Sequence, residues 1–277
     1  MVKTNWKTYT ARDFSHLHYV SFEKDRPKNR AVILIHGITA ELNHQEKFAE
    51  SLEIEADVFL PILRGYDQLN PRGDLSYMEQ FDDDLFDFIH FVKKKGYDQI
   101  LLVGHSMGCA NLLRLIHKNP KAADHYLFIS PFFHPTLSVY RNDATDQFKP
   151  STDVDYVVYQ KKAGTLMVLY KLGVKRILNW TVAQIPDEFH HTGRLSLSFR
   201  LMMSRFLEEV PADLFRGMED RVRTYVGEHD EVVHPERLCE WYENTFGMNM
   251  MIVKDTDHNH ILHDPAFHIS IREWVKG

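Results

Sequence analysis

A serine between two glycines, at the end of a buried strand, constrains this 277-residue chain more than any other feature. Ile100-Leu101-Leu102-Val103 reads as a strand, Gly104-His105-Ser106-Met107-Gly108 as a turn, and Cys109 to Lys118 as a helix. A sharp strand-to-helix turn strains the backbone of its central residue and exposes that side chain's hydroxyl. Glycine on either side keeps Cβ atoms out of a place where neighbouring backbones converge.

The rest of the chain repeats the same grammar. Ala31 to Ile35, Val58 to Leu63 and Tyr126 to Ser130 are apolar runs of the kind that form strands buried on both faces. Between them lie helical patterns. The clearest spans 80–95, where Phe81, Leu85, Phe88, Ile89 and Val92 recur at helical spacing. Asp82, Asp83 and Asp84 near its start and Lys93, Lys94 and Lys95 at its end complement the helix dipole, so this charge run reads as a solvated face. Residues 5–23 read as two strands around a turn near Ala11 to Phe14. Strand and helix alternate again from Val222 to the end, closing with a helix from about Pro265 to Val275.

The alternation breaks between 132 and 215, where two apolar stretches, Leu166 to Trp180 and Leu195 to Val210, read as helices. The expected fold is α/β: a mostly parallel, doubly wound sheet from residues 1–131 and 216–277, with 132–215 inserted as a helical cap. Lys171, Lys175 and Arg176 interrupt the first stretch, so it does not span a membrane; transient contact of the cap with one is compatible with it.

Composition narrows the partners. The formal net charge is −6 and no basic stripe dominates, so a nucleic-acid partner is not expected. Two cysteines, Cys109 and Cys239, are too few for a disulfide framework. Both are expected as free thiols, which suits a reducing compartment. The first residues lack the apolar core of a signal sequence, and no run of 18 uncharged apolar residues occurs. A cytoplasmic location is the resulting expectation.

In open parallel sheets, functional groups gather beyond the carboxyl ends of the strands. Ser106 follows one strand, Asp230 another, and His258 and His260 the last. A serine hydroxyl is a poor nucleophile until a neighbouring base takes its proton and an acid orients that base. Four segments carry a resemblance: Val32-Ile33-Leu34-Ile35-His36-Gly37, Gly104 to Gly108, Gly227-Glu228-His229-Asp230-Glu231-Val232-Val233-His234-Pro235, and His258 ahead of Asp264-Pro265. With them the chain resembles α/β-hydrolase fold serine hydrolases of the esterase and monoacylglycerol-lipase-like branch, over 18–131 and 221–275.

The resemblance implies Ser106 as nucleophile, Asp230 as orienting acid ahead of its rivals Glu228 and Glu231, and His258 as base, with His260 as second choice. It implies an oxyanion hole made by the N–H groups of Ile38 and Met107. No cofactor is implied. The three histidines His258, His260 and His263 lack a convincing ligand set, so no metal is expected. Phe199, Met202, Met203 and Phe206 of the cap form first a packing face and then a candidate wall for an acyl chain.

The implied activity is hydrolysis of carboxylic esters of lipophilic acyl groups through an acyl-enzyme, with a small-molecule ester as partner. The same residues would serve a peptidase, amidase, thioesterase or carbon–carbon hydrolase, and a binding protein with an unused triad is the alternative of another kind. One departure limits the placement. Relatives continue Arg-Gly-His-Gly-x-Ser after the second buried strand, and here Arg64-Gly65-Tyr66-Asp67 stands instead. Serine at 106 also sets the chain apart from branches with an aspartate nucleophile.

Overall fold

Alternate residues of the buried strands enter two separate cores. Ala31, Ile33 and Ile35 point into one, Val32 and Leu34 into the other. Ile100 and Leu102 part from Leu101 and Val103 in the same way. A two-residue period with no polar side requires a sheet covered on both faces.

The computed structural model describes residues 6–23, 29–40, 42–52, 54–68, 71–141, 156–187 and 193–276. In chain order it has β1 (Trp6–Thr10), β2 (His16–Phe22), β3 (Arg30–Ile35), α1 (Leu42–Ser51), β4 (Asp57–Pro61), α2 (Gln80–Lys94), β5 (Gln99–His105), α3 (Gly108–Lys118) and β6 (His125–Ile129). An insertion follows with β7 (Val157–Val158), α4 (Gln160–Lys171), β8 (Thr181–Pro186), β9 (Arg194–Ser198) and α5 (Phe199–Met203). The core resumes with β10 (Val222–Gly227), α6 (Pro235–Phe246), β11 (Met251–Val253) and α7 (Pro265–Lys276).

The main sheet has eight strands in the order β1-β2-β4-β3-β5-β6-β10-β11. Only β2 runs against the others, antiparallel to both β1 and β4. The remaining ladders are parallel, with Ile35 of β3 opposite Gly104 of β5 and His105 opposite Ile129 of β6. α2, α3 and α6 pack on one face through Phe81, Leu112 and Leu238; α1 and α7 cover the other through Phe48, Phe267 and Ile271. Ile271 is fully buried, and a side chain of its size contributes about 2–3 kcal/mol by leaving water.

Two sequence expectations change here. The insertion is not purely helical. β7, β8 and β9 form a three-stranded antiparallel sheet, and the second expected helix shrinks to the five residues of α5. Leu195 and Leu197 alternate as a strand before Ser198 caps α5 by accepting the Leu201 N–H. Residues 142–155 and 188–192 of the insertion lie outside the described residues. The acidic run of α2 is also more than a solvated face. Asp82 is buried, pairing with Arg114 and Lys118, and Asp84 is held by the guanidinium of Arg64 at 2.8 Å on both oxygens. These pairs tie α2 to α3 and to the exit of β4.

The insertion is sewn to the core along one edge. Ser198 N–H donates to Gly73 O at 2.8 Å. Arg72 grips both oxygens of Asp187 at 2.6 and 2.8 Å, and Arg200 grips Asp74 at 2.6 and 3.0 Å. Gly73 has φ of +71°, and a Cβ there would fall 1.8 Å from Ser196 O, so only glycine fits this seam. Among the described residues, no helix is long and apolar enough to cross a membrane.

Candidate active site

Ser106 occupies the elbow between β5 and α3 with φ of +52°, a left-handed conformation that costs a non-glycine residue of order 1 kcal/mol or more. The surroundings over-determine it. Its N–H donates to Ile129 O at 3.0 Å, and its carbonyl accepts from Cys109 and Phe132. The flanking glycines have no alternative. A Cβ on Gly104 would meet Cys109 N at 2.7 Å, and one on Gly108 would meet Ile35 O at 2.1 Å. The strain is therefore fixed by α3 lying directly over β5 and β3.

Asp230 follows β10 and is fully buried. Its Oδ1 accepts from the N–H groups of Val232 and Val233 at 2.9 and 3.0 Å, leaving Oδ2 for His258 Nδ1 at 2.8 Å. Burial acts to raise the Asp230 pKa, but the His258 side chain and these two N–H donors outweigh it and hold the carboxyl below the usual range. His258 thus faces an ionised partner at neutral pH. His260 is 63% exposed at its side chain and turns to Asp257 at 2.7 Å. His258 is the histidine that reaches Asp230.

Ser106 and His258 line one cavity, together with Gly37, Ile38, Thr39, Ala40, Gln45, His105, Tyr156, Val232 and Asn259. Ile38 follows β3 and Met107 caps α3. Gly37 lets these segments close in, since a Cβ on it would lie 3.0 Å from Ser106 Cβ.

Phe199, Met202, Met203 and Phe206 are not among the residues lining this cavity. Phe199 is fully buried against Tyr170, and Phe206 packs between Phe132 and His134. Met202 is buried in the main core and Met203 packs at its margin. The short α5 uses its apolar side chains to join insertion to core.

Two side chains take supporting roles that the sequence does not show, one of them Glu231, which the sequence offers only as a rival to Asp230. Glu231 Oε2 accepts the His258 N–H at 3.0 Å, and burial chiefly raises its pKa. His105 Nε2–H donates to His258 O at 2.9 Å. Together they fix the backbone of His258 from both sides of its peptide chain. Nothing in the sequence marks Glu231 except its place beside Asp230, and His105 is visible only as the variable position of the elbow.

His36 and His105 are both pushed down to about 3, primarily by burial, with the Arg205 guanidinium adding to the effect at His36 and the neighbouring His258 adding to it at His105. They stay neutral in the fold, whereas unfolded histidine takes a proton below about pH 6.5. The unfolded state therefore binds more protons between about pH 3 and 6.5, and stability falls as the pH drops through that window. The expected loss is up to about 1.4 kcal/mol per pH unit for each histidine, or about 2 kcal/mol each at pH 5. Urea denaturation at pH 7 and pH 5 measures it. His263, pushed down to about 4 chiefly by burial, adds a loss in the same direction, so His105→Gln, which keeps a donor, should remove about a third of the pH-dependent loss or less. An equal loss in wild type and variant refutes this assignment.

The sequence model of the alpha/beta hydrolase fold matches residues 30–265. No curated protein matches the chain. Among solved structures the chain is similar to a thermophilic esterase from Thermogutta terrifontis, at 16% identity, TM-score 0.60 and 98% coverage of both chains. It is similar to a putative aryl esterase from Burkholderia cenocepacia at 15% identity, TM-score 0.62 and 98% coverage of both. It is also similar to an epoxide hydrolase from Vigna radiata at 14% identity and TM-score 0.57, covering 100% of this chain and 98% of the other. These likenesses extend to the fold. With the sheet order, the elbow and a family match over most of its length, the chain belongs to the α/β-hydrolase fold family.

Proposed function

We propose that the protein is a serine hydrolase that cleaves carboxylic esters through an acyl-enzyme. The observation that carries this reading is the His258–Asp230 hydrogen bond at 2.8 Å beside a strained Ser106 that shares a cavity with His258. Ser106 Oγ attacks the ester carbonyl while His258 Nε2 takes its proton. Asp230 holds the imidazole through Nδ1 and stabilises the imidazolium. The N–H groups of Ile38 and Met107 receive the oxyanion, each donor supplying about 3 kcal/mol. Collapse breaks the bond to the alcohol oxygen, which leaves with the proton from His258. Water then attacks the acyl-enzyme with His258 again as base, releasing the acid and restoring Ser106.

The acyl group is proposed to be lipophilic and of medium length. Ile38, Tyr156 and Val232 supply the apolar part of the cavity wall, and Thr39, Gln45 and Asn259 the polar part. The outer surface of the insertion supports contact with an anionic lipid surface during delivery of such esters. Val168, Leu172, Val174 and Trp180 are exposed there. Between 157 and 181 the chain carries Lys161, Lys162, Lys171, Lys175 and Arg176 and no acidic residue.

Hydrolysis of 4-nitrophenyl esters from acetate to palmitate tests the reading, with and without phosphatidylglycerol vesicles. The expected result is a maximum at intermediate chain length and a higher rate on vesicle-borne long-chain ester. Turnover confined to acetate removes the lipophilic part. Absence of turnover on every ester, with Ser106 still labelled by a fluorophosphonate, moves the reaction to an amide, thioester or carbon–carbon bond.

A further inference from the structure

We propose that Arg205, delivered from the insertion, is a positioning residue that aims and polarises the Gly37–Ile38 peptide for oxyanion binding. This rests on the reading of Ile38 as an oxyanion donor. Arg205 is fully buried. A buried cation is costly unless its donors are met, and the usual answer is a carboxylate. Arg72 and Arg200 take that answer with Asp187 and Asp74.

Arg205 does not. Among the described residues, no carboxylate is within ion-pair distance of it. Nη1 donates to His36 O at 3.2 Å and to Asn111 Oδ1 at 3.0 Å, and Nη2 donates to Gly37 O at 3.2 Å. The guanidinium also lies 5.1 Å from the Tyr66 ring centre and 5.4 Å from that of Phe81. Two of its three hydrogen bonds thus go to successive carbonyls of the loop after β3, the third goes to Asn111 of α3, and Nε has no hydrogen-bond partner among the described residues. A residue that only anchored the insertion would have no reason to choose those carbonyls.

The geometry of one peptide unit gives the consequence. A trans peptide is planar, so its C=O and N–H point in opposite directions. Gly37 O accepts from Arg205 and also from His36 Nδ1 at 2.8 Å. His36 Nε2 accepts the Leu63 N–H, so its proton lies on Nδ1. Two donors therefore pin the carbonyl end of this peptide. Its other end is the Ile38 N–H. Ile38 lines the cavity with Ser106, and the Gly37 Cα abuts Ser106 closely enough that a Cβ would be 3.5 Å from Oγ. A cation at the oxygen draws electron density through the peptide and makes its N–H a stronger donor. The positive charge also stands behind the place where negative charge develops, without moving during reaction.

The test compares Arg205→Met, similar in length but without donors, with Arg205→Lys, which keeps the charge and loses the fork. The readouts are kcat, KM, and the inhibition constant of an alkyl trifluoromethyl ketone, whose adduct places an oxyanion in the hole. Thermal melting reports folding. Arg205→Met is expected to lower kcat by roughly 10- to 100-fold, less than direct loss of a donor. KM should stay within about twofold, and the ketone should weaken in proportion to kcat/KM. Arg205→Lys should recover part of both.

A folded Met variant with unchanged kcat and ketone affinity overturns the proposal. So does a variant in which KM alone rises. Should the Met variant fail to fold, the Lys variant decides by the same readouts: parallel loss supports the proposal, and wild-type values reject it. Wild-type protein that neither turns over esters nor reacts with a fluorophosphonate at Ser106 would instead sink the serine-hydrolase reading, and this inference with it.

Discussion

Ser106→Ala is expected to lower kcat for ester hydrolysis by roughly a millionfold, the scale seen when a triad serine is removed. The fold should survive. The bonds that hold the elbow are made by the backbone of Ser106 with Ile129, Cys109 and Phe132, and alanine keeps all of them. Alanine also keeps the strain at φ of +52°, so the thermal midpoint should stay near that of wild type. Ser106→Gly, which relieves the strain, should raise stability by about 1 kcal/mol while remaining inactive. Steady-state turnover with burst-phase measurement decides the matter. An alanine variant retaining more than about one part in a hundred of wild-type kcat would exclude Ser106 as the attacking group, since a working triad loses far more.

Gly108→Ala is expected to have the largest effect on stability, more than about 4 kcal/mol. Its Cβ would lie 2.1 Å from Ile35 O, 2.8 Å from Ile35 C and 3.0 Å from His36 O. All three are backbone atoms at the end of a central strand, so no side chain can swing aside. Either α3 lifts off β5 or β3 shifts against it. Gly164 is the control. It sits in α4 with nothing within 4 Å of an added Cβ, and alanine there should stabilise by about 0.5–1 kcal/mol. Urea denaturation of both variants measures the contrast. A Gly108→Ala variant as stable as wild type would refute the close approach of α3 to β3.

The core was legible because burial on two faces leaves little choice of residue. Val32, Leu34, Leu101 and Val103 sit against one set of helices while Ala31, Ile33, Ile100 and Leu102 sit against the other, so the runs read as apolar throughout. Asp230 and His258 were legible through their place after β10 and β11. The choice between His258 and His260 was not open to spacing alone. It depends on Asp257, whose carboxylate takes the N–H and ring of His260 and turns it outward.

The insertion was less legible. Leu195-Ser196-Leu197 alternates for too few residues to outweigh the helical spacing that follows it, so the sequence predicts a helix where β9 forms. Asp82 and Asp84 looked solvated because their partners, Arg114 and Arg64, lie far away in sequence. Arg205 left one faint signal: a lone cation inside the apolar run from Leu201 to Leu207. Two of its three partners are backbone carbonyl oxygens, which every residue possesses, and the third, Asn111, lies 94 positions away, so no sequence pattern announces them.

The seam between Gly73 and Ser198 has a consequence for traffic. Two forked ion pairs and a backbone hydrogen bond rivet that margin of the insertion to the loop after β4. Substrate cannot gain entry by tilting the whole insertion away from that margin without parting all of them together. Tyr156 and Val232 line the cavity itself, so crowding those side chains, rather than loosening the rivets, is expected to change which substrates it accepts.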